Sequence, residues 1–128
     1  MTDEQYEELL RLVHGRAGDA FRGAFRFDAD GWTPLYVRED LATDELRDAL
    51  GPVIENIRDS APLVPEDLYA GLGGRQATVE LHERAAVVLL PESARAGVVI
   101  SLDRDVAQGL GEFVKRCNAV LDDENRRP

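Results

Sequence analysis

The alternation of apolar and polar residues predicts a chain that begins with an amphipathic helix. The apolar side chains recur at helical spacing and form one stripe: Tyr6, Leu9, Leu10 and Val13. Thr2 and Gln5 have the spacing of a capping box, in which each side chain bonds to the other residue's backbone N–H. Gly15 and Gly18 are expected to end this helix.

A β-hairpin is predicted next. Its first strand alternates phenylalanine with arginine, a period of two typical of a half-buried strand, through Phe21, Arg22, Phe25, Arg26 and Phe27. Residues 28–31 have turn chemistry, with Gly31 free to take positive φ. The return strand covers residues 32–38. Pro34 lies within it and lacks an N–H for the ladder, which favours an edge position or a bulge.

The second helix is expected to begin at Thr43, whose hydroxyl suits an N-cap. Its predicted buried face consists of Leu46, Leu50, Val53, Ile54 and Ile57. Gly51 and Pro52 interrupt this pattern, so we expect either a kink or a break into two helices. One further helical turn is predicted over residues 66–70.

Three strands and a last helix are predicted in the second half. The strands cover residues 77–82, 85–90 and 97–102, and the uninterrupted apolar run of 85–90 indicates a central strand covered on both faces. Residues 91–95 are a predicted loop. Asp103 is expected to cap the final helix, whose apolar face is Val106, Leu110, Phe113, Val114, Cys117, Val120 and Leu121.

These elements predict one α+β domain over residues 1–121, followed by a polar tail over residues 122–128. The order is α-β-β-α-β-β-β-α. Because neither block of strands has a βαβ crossover pattern, we expect a five-stranded, mostly antiparallel sheet packed with helices.

The charge of the chain narrows its expected partners. The formal net charge is −10, which disfavours binding to nucleic acid or to anionic membrane surfaces. Lys115 is the one lysine among fifteen basic residues. Many carboxylates with little lysine fit a protein that stays dispersed at molar salt, although a genome rich in arginine codons would also favour arginine. With one cysteine and no signal-like N-terminus, the expected location is the cytoplasm.

Few residues suggest catalysis or metal binding. Asp28 and Asp30 resemble the start of a calcium loop, but the ligands that should follow are missing, so a hairpin turn is favoured. His82 could act as a base with Glu80, yet a solvent-facing side chain is the simpler interpretation. Cys117 lies on the apolar face of the last helix and is predicted to pack in the core. No cofactor is expected.

Three aromatic residues form the predicted interaction surface. Trp32, Tyr36 and Tyr69 could gather into one exposed patch, and exposed aromatic side chains mark interfaces more often than active sites. Packing in the core is the alternative for the same residues.

The chain carries two resemblances. The element order resembles the roadblock/LC7 fold, a profilin-like sheet between helices. Residues 30–38 (DGWTPLYVR), 66–69 (EDLY) and 99–103 (VISLD) resemble a group of short, uncharacterised proteins of halophilic archaea. The roadblock resemblance implies homodimers joined through the second helix and the adjoining strand, and a scaffolding or regulatory role, often toward small GTPases.

The expected function is therefore a non-enzymatic, dimerising interaction or regulatory domain of a halophile cytoplasm. The alternative is a small-molecule sensor that binds its ligand between sheet and helices. An enzyme that uses His82 with Glu80 is a third hypothesis.

Overall fold

Three helices and five strands follow one another in the predicted order. The computed structural model describes residues 2–125, with side chains through residue 122. The elements are α1 (Asp3–Ala17), β1 (Phe21–Phe27), β2 (Trp32–Val37), α2 (Asp44–Asp59), β3 (Thr78–Leu81), β4 (Ala85–Ser93), β5 (Ala96–Asp103) and α3 (Gln108–Asn125). The predicted α+β class and element order are confirmed.

The first two helices begin where the sequence predicts. The Thr2 hydroxyl accepts a hydrogen bond from the Gln5 N–H, and the Gln5 side chain accepts one from the Thr2 N–H at 2.7 Å, so the capping box is confirmed. Helix α1 passes through Gly15 and ends at Gly18, which has a φ of 55°. Thr43 caps α2 by accepting from the Leu46 N–H.

All neighbouring strands of the sheet are antiparallel, in the order β2-β1-β5-β4-β3. The edges are therefore β2 and β3. Pro34 lies on edge strand β2, where the pairing shifts so that Ala24 faces Tyr36 and Phe25 faces Pro34. Leu35 is left over as a bulge residue, so both structural roles considered for Pro34 are confirmed.

A second bulge changes which faces β1 presents. Between Phe21 and Gly23 the pairing with β5 shifts, and Arg22 becomes the extra residue. As a result Phe21 packs on the α1 side of the sheet, whereas Phe25 and Phe27 pack on the α2 side. The prediction of a half-buried strand was wrong, because one inserted residue reverses the alternation and both faces of β1 are covered.

The core consists of one apolar cluster on each side of the sheet. Under α1 the buried members are Tyr6, Phe21, Ala24, Val98 and Ile100. Under α2 they are Phe27, Ile54 and Val99. Helix α2 continues through Pro52, so a break into two helices does not occur. The fully buried Ile54 anchors the helix to the sheet after the proline, while Val53 is 44% exposed rather than buried.

The last helix departs most from the sequence prediction. A 3₁₀ turn over Arg104–Ala107 precedes it, and Asp103 makes no capping hydrogen bond. Cys117, predicted to be a core residue, is exposed. Helical periodicity located this stripe correctly, but periodicity cannot show whether any surface lies against it. The helix extends to Asn125, so part of the predicted tail is helical, and residues 126–128 lie outside the described residues.

Candidate functional site

A continuous apolar stripe on α3 faces solvent. We define the α3 stripe as Leu110, Phe113, Val114, Cys117, Val120 and Leu121. Leu110 is 51% exposed, and Phe113 and Val120 are each 63% exposed. The helix packs chiefly against the turn that precedes it, with little contact to the strands. An amphipathic helix gains most of its stability from packing this face, so the stripe is a candidate binding surface.

The start of α3 is held by one arginine. Arg104 donates from Nη1 to the His82 carbonyl at 2.6 Å and from Nη2 to the Gly111 carbonyl at 3.4 Å. Gly111 is buried, and a Cβ at this position would lie 2.9 Å from Arg104 Nε. Arg104 thus links the first turn of α3 to the residue that follows β3.

A second group of exposed apolar side chains lies in and beside the long α2–β3 connection. Its exposed members are Leu63, Val64, Leu68, Tyr69, Leu72 and, on strand β3, Val79. Residues 66–68 form a turn in which the Leu68 and Tyr69 N–H groups both donate to the Pro65 carbonyl at 3.1 Å. A 3₁₀ turn, Ala70–Leu72, follows in place of the helical turn predicted over 66–70.

The three aromatic residues of the predicted patch do not form one surface. Trp32 packs with the cluster under α2, whereas Tyr36 packs on the α1 side, 4.6 Å from the rings of His14 and Phe21. The bulge at Leu35 separates them, because without it residues 32 and 36 would share a face. Tyr69 is 59% exposed.

An open cleft of about 580 Å³ lies where α1 meets the ends of the β1–β2 and β4–β5 hairpins. The guanidinium of Arg26 stands 4.9 Å from the centre of the Tyr6 ring, and the Tyr6 hydroxyl donates to Glu92 Oε1 at 3.2 Å. Trp32, Asp28 and Asp30 also line this cleft. Its wall thus combines aromatic faces with three carboxylates and one guanidinium.

The β1–β2 turn lies at one rim of the cleft, and the side chain of its first residue, Asp28, closes the turn. Asp28 Oδ1 accepts from the N–H groups of Asp30 and Gly31 at 2.8 and 2.9 Å, and these bonds hold the pKa of Asp28 below its usual value. Gly31 does not take the positive φ expected of it. Among the described residues, no three His, Cys, Asp or Glu side chains converge as a metal site.

Arg58 anchors this turn to α2, a role that the sequence did not reveal. Its side chain is 7% exposed, and it donates to the carbonyls of Asp28 and Gly31 at 2.6 and 2.7 Å. It also pairs with Glu55. Arginine on a helix ordinarily indicates a solvent-exposed position, so nothing in the sequence pointed to this contact.

An ion-pair cluster joins β1, β2 and β5 where β1 begins and β5 ends. Asp103 accepts from Arg38 Nη1 at 2.9 Å and from Arg22 Nη1 at 3.2 Å. Arg38 also binds Asp40 at 2.7 Å. The hydrogen bond from Arg38 is the main cause of a lowered pKa at Asp103. The predicted His82–Glu80 pair forms at 2.7 Å on the surface, with both side chains more than half exposed.

A family model covers almost the whole domain. Residues 7–122 match the model described as a domain of unknown function, DUF7522. The chain belongs to the DUF7522 family. The match includes α1 from residue 7 onward, the whole sheet and the α3 stripe, so the stripe lies within the family domain. No curated protein matches the chain, and no described helix is long and apolar enough to cross a bilayer.

Proposed function

We propose that this chain is a non-enzymatic interaction domain that dimerises and regulates or scaffolds other proteins in a salt-rich cytoplasm. The observation that carries the proposal is the α3 stripe, whose larger side chains are half or more exposed. Soluble monomers rarely expose a contiguous apolar surface of this kind unless it binds something.

The distribution of charge supports a second copy of the chain as the partner. Within the stripe, residues 110–121, one acidic residue (Glu112) accompanies two basic ones (Lys115 and Arg116), whereas the acidic residues Asp122, Asp123 and Glu124 follow it and the whole chain carries −10. Two copies that meet through α3 therefore avoid placing their strongly acidic surfaces against each other.

The roadblock/LC7 likeness supports the same class of function. An antiparallel sheet between helices, with the element order of that fold, agrees with it. The expected dimer through the second helix has less support, because Val53 is the one large apolar side chain exposed on α2. We therefore assign the dimer contact to α3, and we infer a role toward small GTPases from fold analogy alone.

Light scattering after size exclusion in 2 M KCl tests dimerisation. We expect a mass twice the 14.2 kDa of the chain. Leu110→Asp should weaken the dimer by about tenfold or more, because it removes a leucine from the contact and buries a charge. The matched control is Leu12→Asp on α1, where the leucine is 59% exposed. A monomeric wild type, or equal effects of both substitutions, would contradict the proposal.

The cleft supports a small-molecule sensor as the second candidate. Its carboxylates Asp28, Asp30 and Glu92 outnumber the guanidinium of Arg26, and Trp32 supplies an aromatic face. This combination favours a small organic cation over an anion.

Trp32 is the single tryptophan of the chain, so its fluorescence reports on the cleft. Choline is a suitable probe, and 3,3-dimethyl-1-butanol, which has the same shape without charge, is its control. A saturable change with choline alone supports the sensor. The same response to both compounds, or no response, would count against a cation site.

A further inference from the structure

The α3 stripe is as wide as the apolar face of a helix that packs on a broad surface. Its members occupy the same three positions of two successive heptads: Leu110 and Cys117, Phe113 and Val120, Val114 and Leu121. Three apolar positions in seven are typical of a helix lying on a sheet or core, whereas a two-helix seam uses two in seven. The surface that fits this stripe is therefore broader than another single helix.

The same chain leaves a matching part of its sheet open. Val79 on β3 faces Val88 on β4, which in turn faces Ile100 on β5, so the three side chains share the α1 side of the sheet. Ile100 is 5% exposed beneath α1, while Val79 at the edge is 50% exposed. Helix α1 makes its main contacts to the sheet on β1 and β2. Val88 and Leu90 of β4 pack beside the cluster under α1, so the part of this face that is exposed lies at the β3 edge, at Val79.

We propose that α3 of one copy packs its stripe on the β3–β4 surface of a second copy, and that the second copy returns the same contact. This inference rests on the proposed dimerisation and specifies its geometry. A second copy is the occupant because the chain exposes the helix and the complementary sheet surface at the same time. Arg104 holds the first turn of α3 at Gly111, and the whole 18-residue helix is about 27 Å long.

Cysteine cross-linking tests this arrangement, because Cys117 is the single cysteine of the chain and lies in the stripe. A tagged Val79→Cys/Cys117→Ala chain is mixed with untagged wild type, refolded together in 2 M KCl and treated with a short bismaleimide. We expect a covalent heterodimer linked between position 79 and Cys117. The matched control, Leu12→Cys/Cys117→Ala, places a cysteine on α1 at a position that is 59% exposed, against 50% for Val79, and should give no heterodimer.

Four other outcomes would each overturn the exchange. A wild-type homodimer linked through Cys117 alone indicates that two α3 helices pair with each other. An intrachain link in Val79→Cys with Cys117 retained indicates that α3 folds onto its own sheet. A dimer by light scattering that gives no link at position 79 agrees with the proposed function but shows that the dimer contact lies elsewhere. A monomer overturns both the proposed dimerisation and the exchange.

Dissociation constants give a second measurement that is independent of cross-linking. Val79→Asp should weaken the dimer by about tenfold or more, as Leu110→Asp does. Thr78→Asp is the control, because the neighbouring residue of the same edge strand is also exposed but points to the α2 side. Equal dissociation constants for the two β3 variants would overturn the docking surface.

Discussion

Arg38 and Asp103 join the edge strand β2 to the central strand β5. Arg38 follows β2 and donates to the carboxylate of Asp103, the last residue of β5, at 2.9 Å. Arg22, the bulged residue of β1, donates to the other oxygen of the same carboxylate. Three neighbouring strands, β2, β1 and β5, are thus linked through one carboxylate.

The pH dependence of stability follows from this carboxylate. The folded-state pKa of Asp103 lies below the ordinary value of 3.8, mainly because of the bond from Arg38, and the pKa of Asp40 is lowered by the same guanidinium. A lowered acid pKa stabilises the fold fully above 3.8, and this contribution is lost as the pH falls through the folded-state pKa.

We therefore expect the free energy of unfolding to decrease as pH is lowered below about 4, in urea titrations at fixed salt and protein concentration. Asp103→Asn should flatten this part of the curve, whereas Asp44→Asn, at an exposed i,i+3 pair on α2, should leave it unchanged. An unaltered acid slope in Asp103→Asn would show that this carboxylate does not couple to folding.

Arg58 should be more sensitive to a conservative change than surface arginines are. Arg58→Lys keeps the charge but loses the planar fork that reaches the Asp28 and Gly31 carbonyls. We expect a loss of about 1–3 kcal/mol in the free energy of unfolding, since a buried side chain loses hydrogen bonds to two carbonyls. Arg47→Lys, at a 71% exposed side chain, should change it by less than about 0.5 kcal/mol. Equal losses would refute the anchoring role.

Two glycine-to-alanine changes should have opposite signs. At Gly15, within α1, an added Cβ meets nothing within 4 Å, so Gly15→Ala should stabilise by about 0.5–1 kcal/mol through helix propensity. At Gly97 in β5 the Cβ would lie 2.6 Å from the Leu90 carbonyl oxygen of β4. Gly97→Ala should destabilise by about 1–3 kcal/mol. Urea unfolding of both variants checks the pair.

Two adjacent aliphatic residues of α2 differ in burial, so substitutions there should differ in their effect on stability. Ile54 is 0% exposed between helix and sheet, and Val53 is 44% exposed. Ile54→Ala should cost about 2–5 kcal/mol, because it leaves a cavity under α2. Val53→Ala should change the free energy of unfolding by less than about 0.5 kcal/mol. Similar losses at both positions would contradict the assignment of Ile54 to the buried face of α2 and of Val53 to its exposed face.

The net charge of −10 should make stability depend on salt. Raising KCl from 0.1 to 1 M shortens the Debye length from about 10 Å to about 3 Å, which screens repulsion among the carboxylates. We expect the melting temperature to rise over this range. A Glu7→Gln/Glu8→Gln/Asp48→Asn variant removes three exposed acidic charges and should show a smaller rise. The same rise in both proteins would exclude charge repulsion as the cause.

Sequence patterns predicted the helices and strands well, because helix caps and strand positions depend on residues that are close together in the chain. Thr2 and Thr43 cap their helices through bonds to the backbone three residues on, and Pro34 lies on an edge strand because it cannot donate to a ladder. The candidate surface was predicted less well. Trp32 and Tyr36 were expected together, but a single bulge residue at Leu35 assigns them to opposite faces.

The sequence by itself determined the order of helices and strands, the helix caps, the apolar stripe of the last helix and the acidic charge. Each of these follows from spacing along the chain or from composition. The tertiary structure decided which surfaces are covered, because coverage depends on contacts between distant segments. It exposed Cys117 rather than burying it, brought Arg22 and Arg38 to Asp103, and left Val79 and the larger side chains of the α3 stripe half or more exposed.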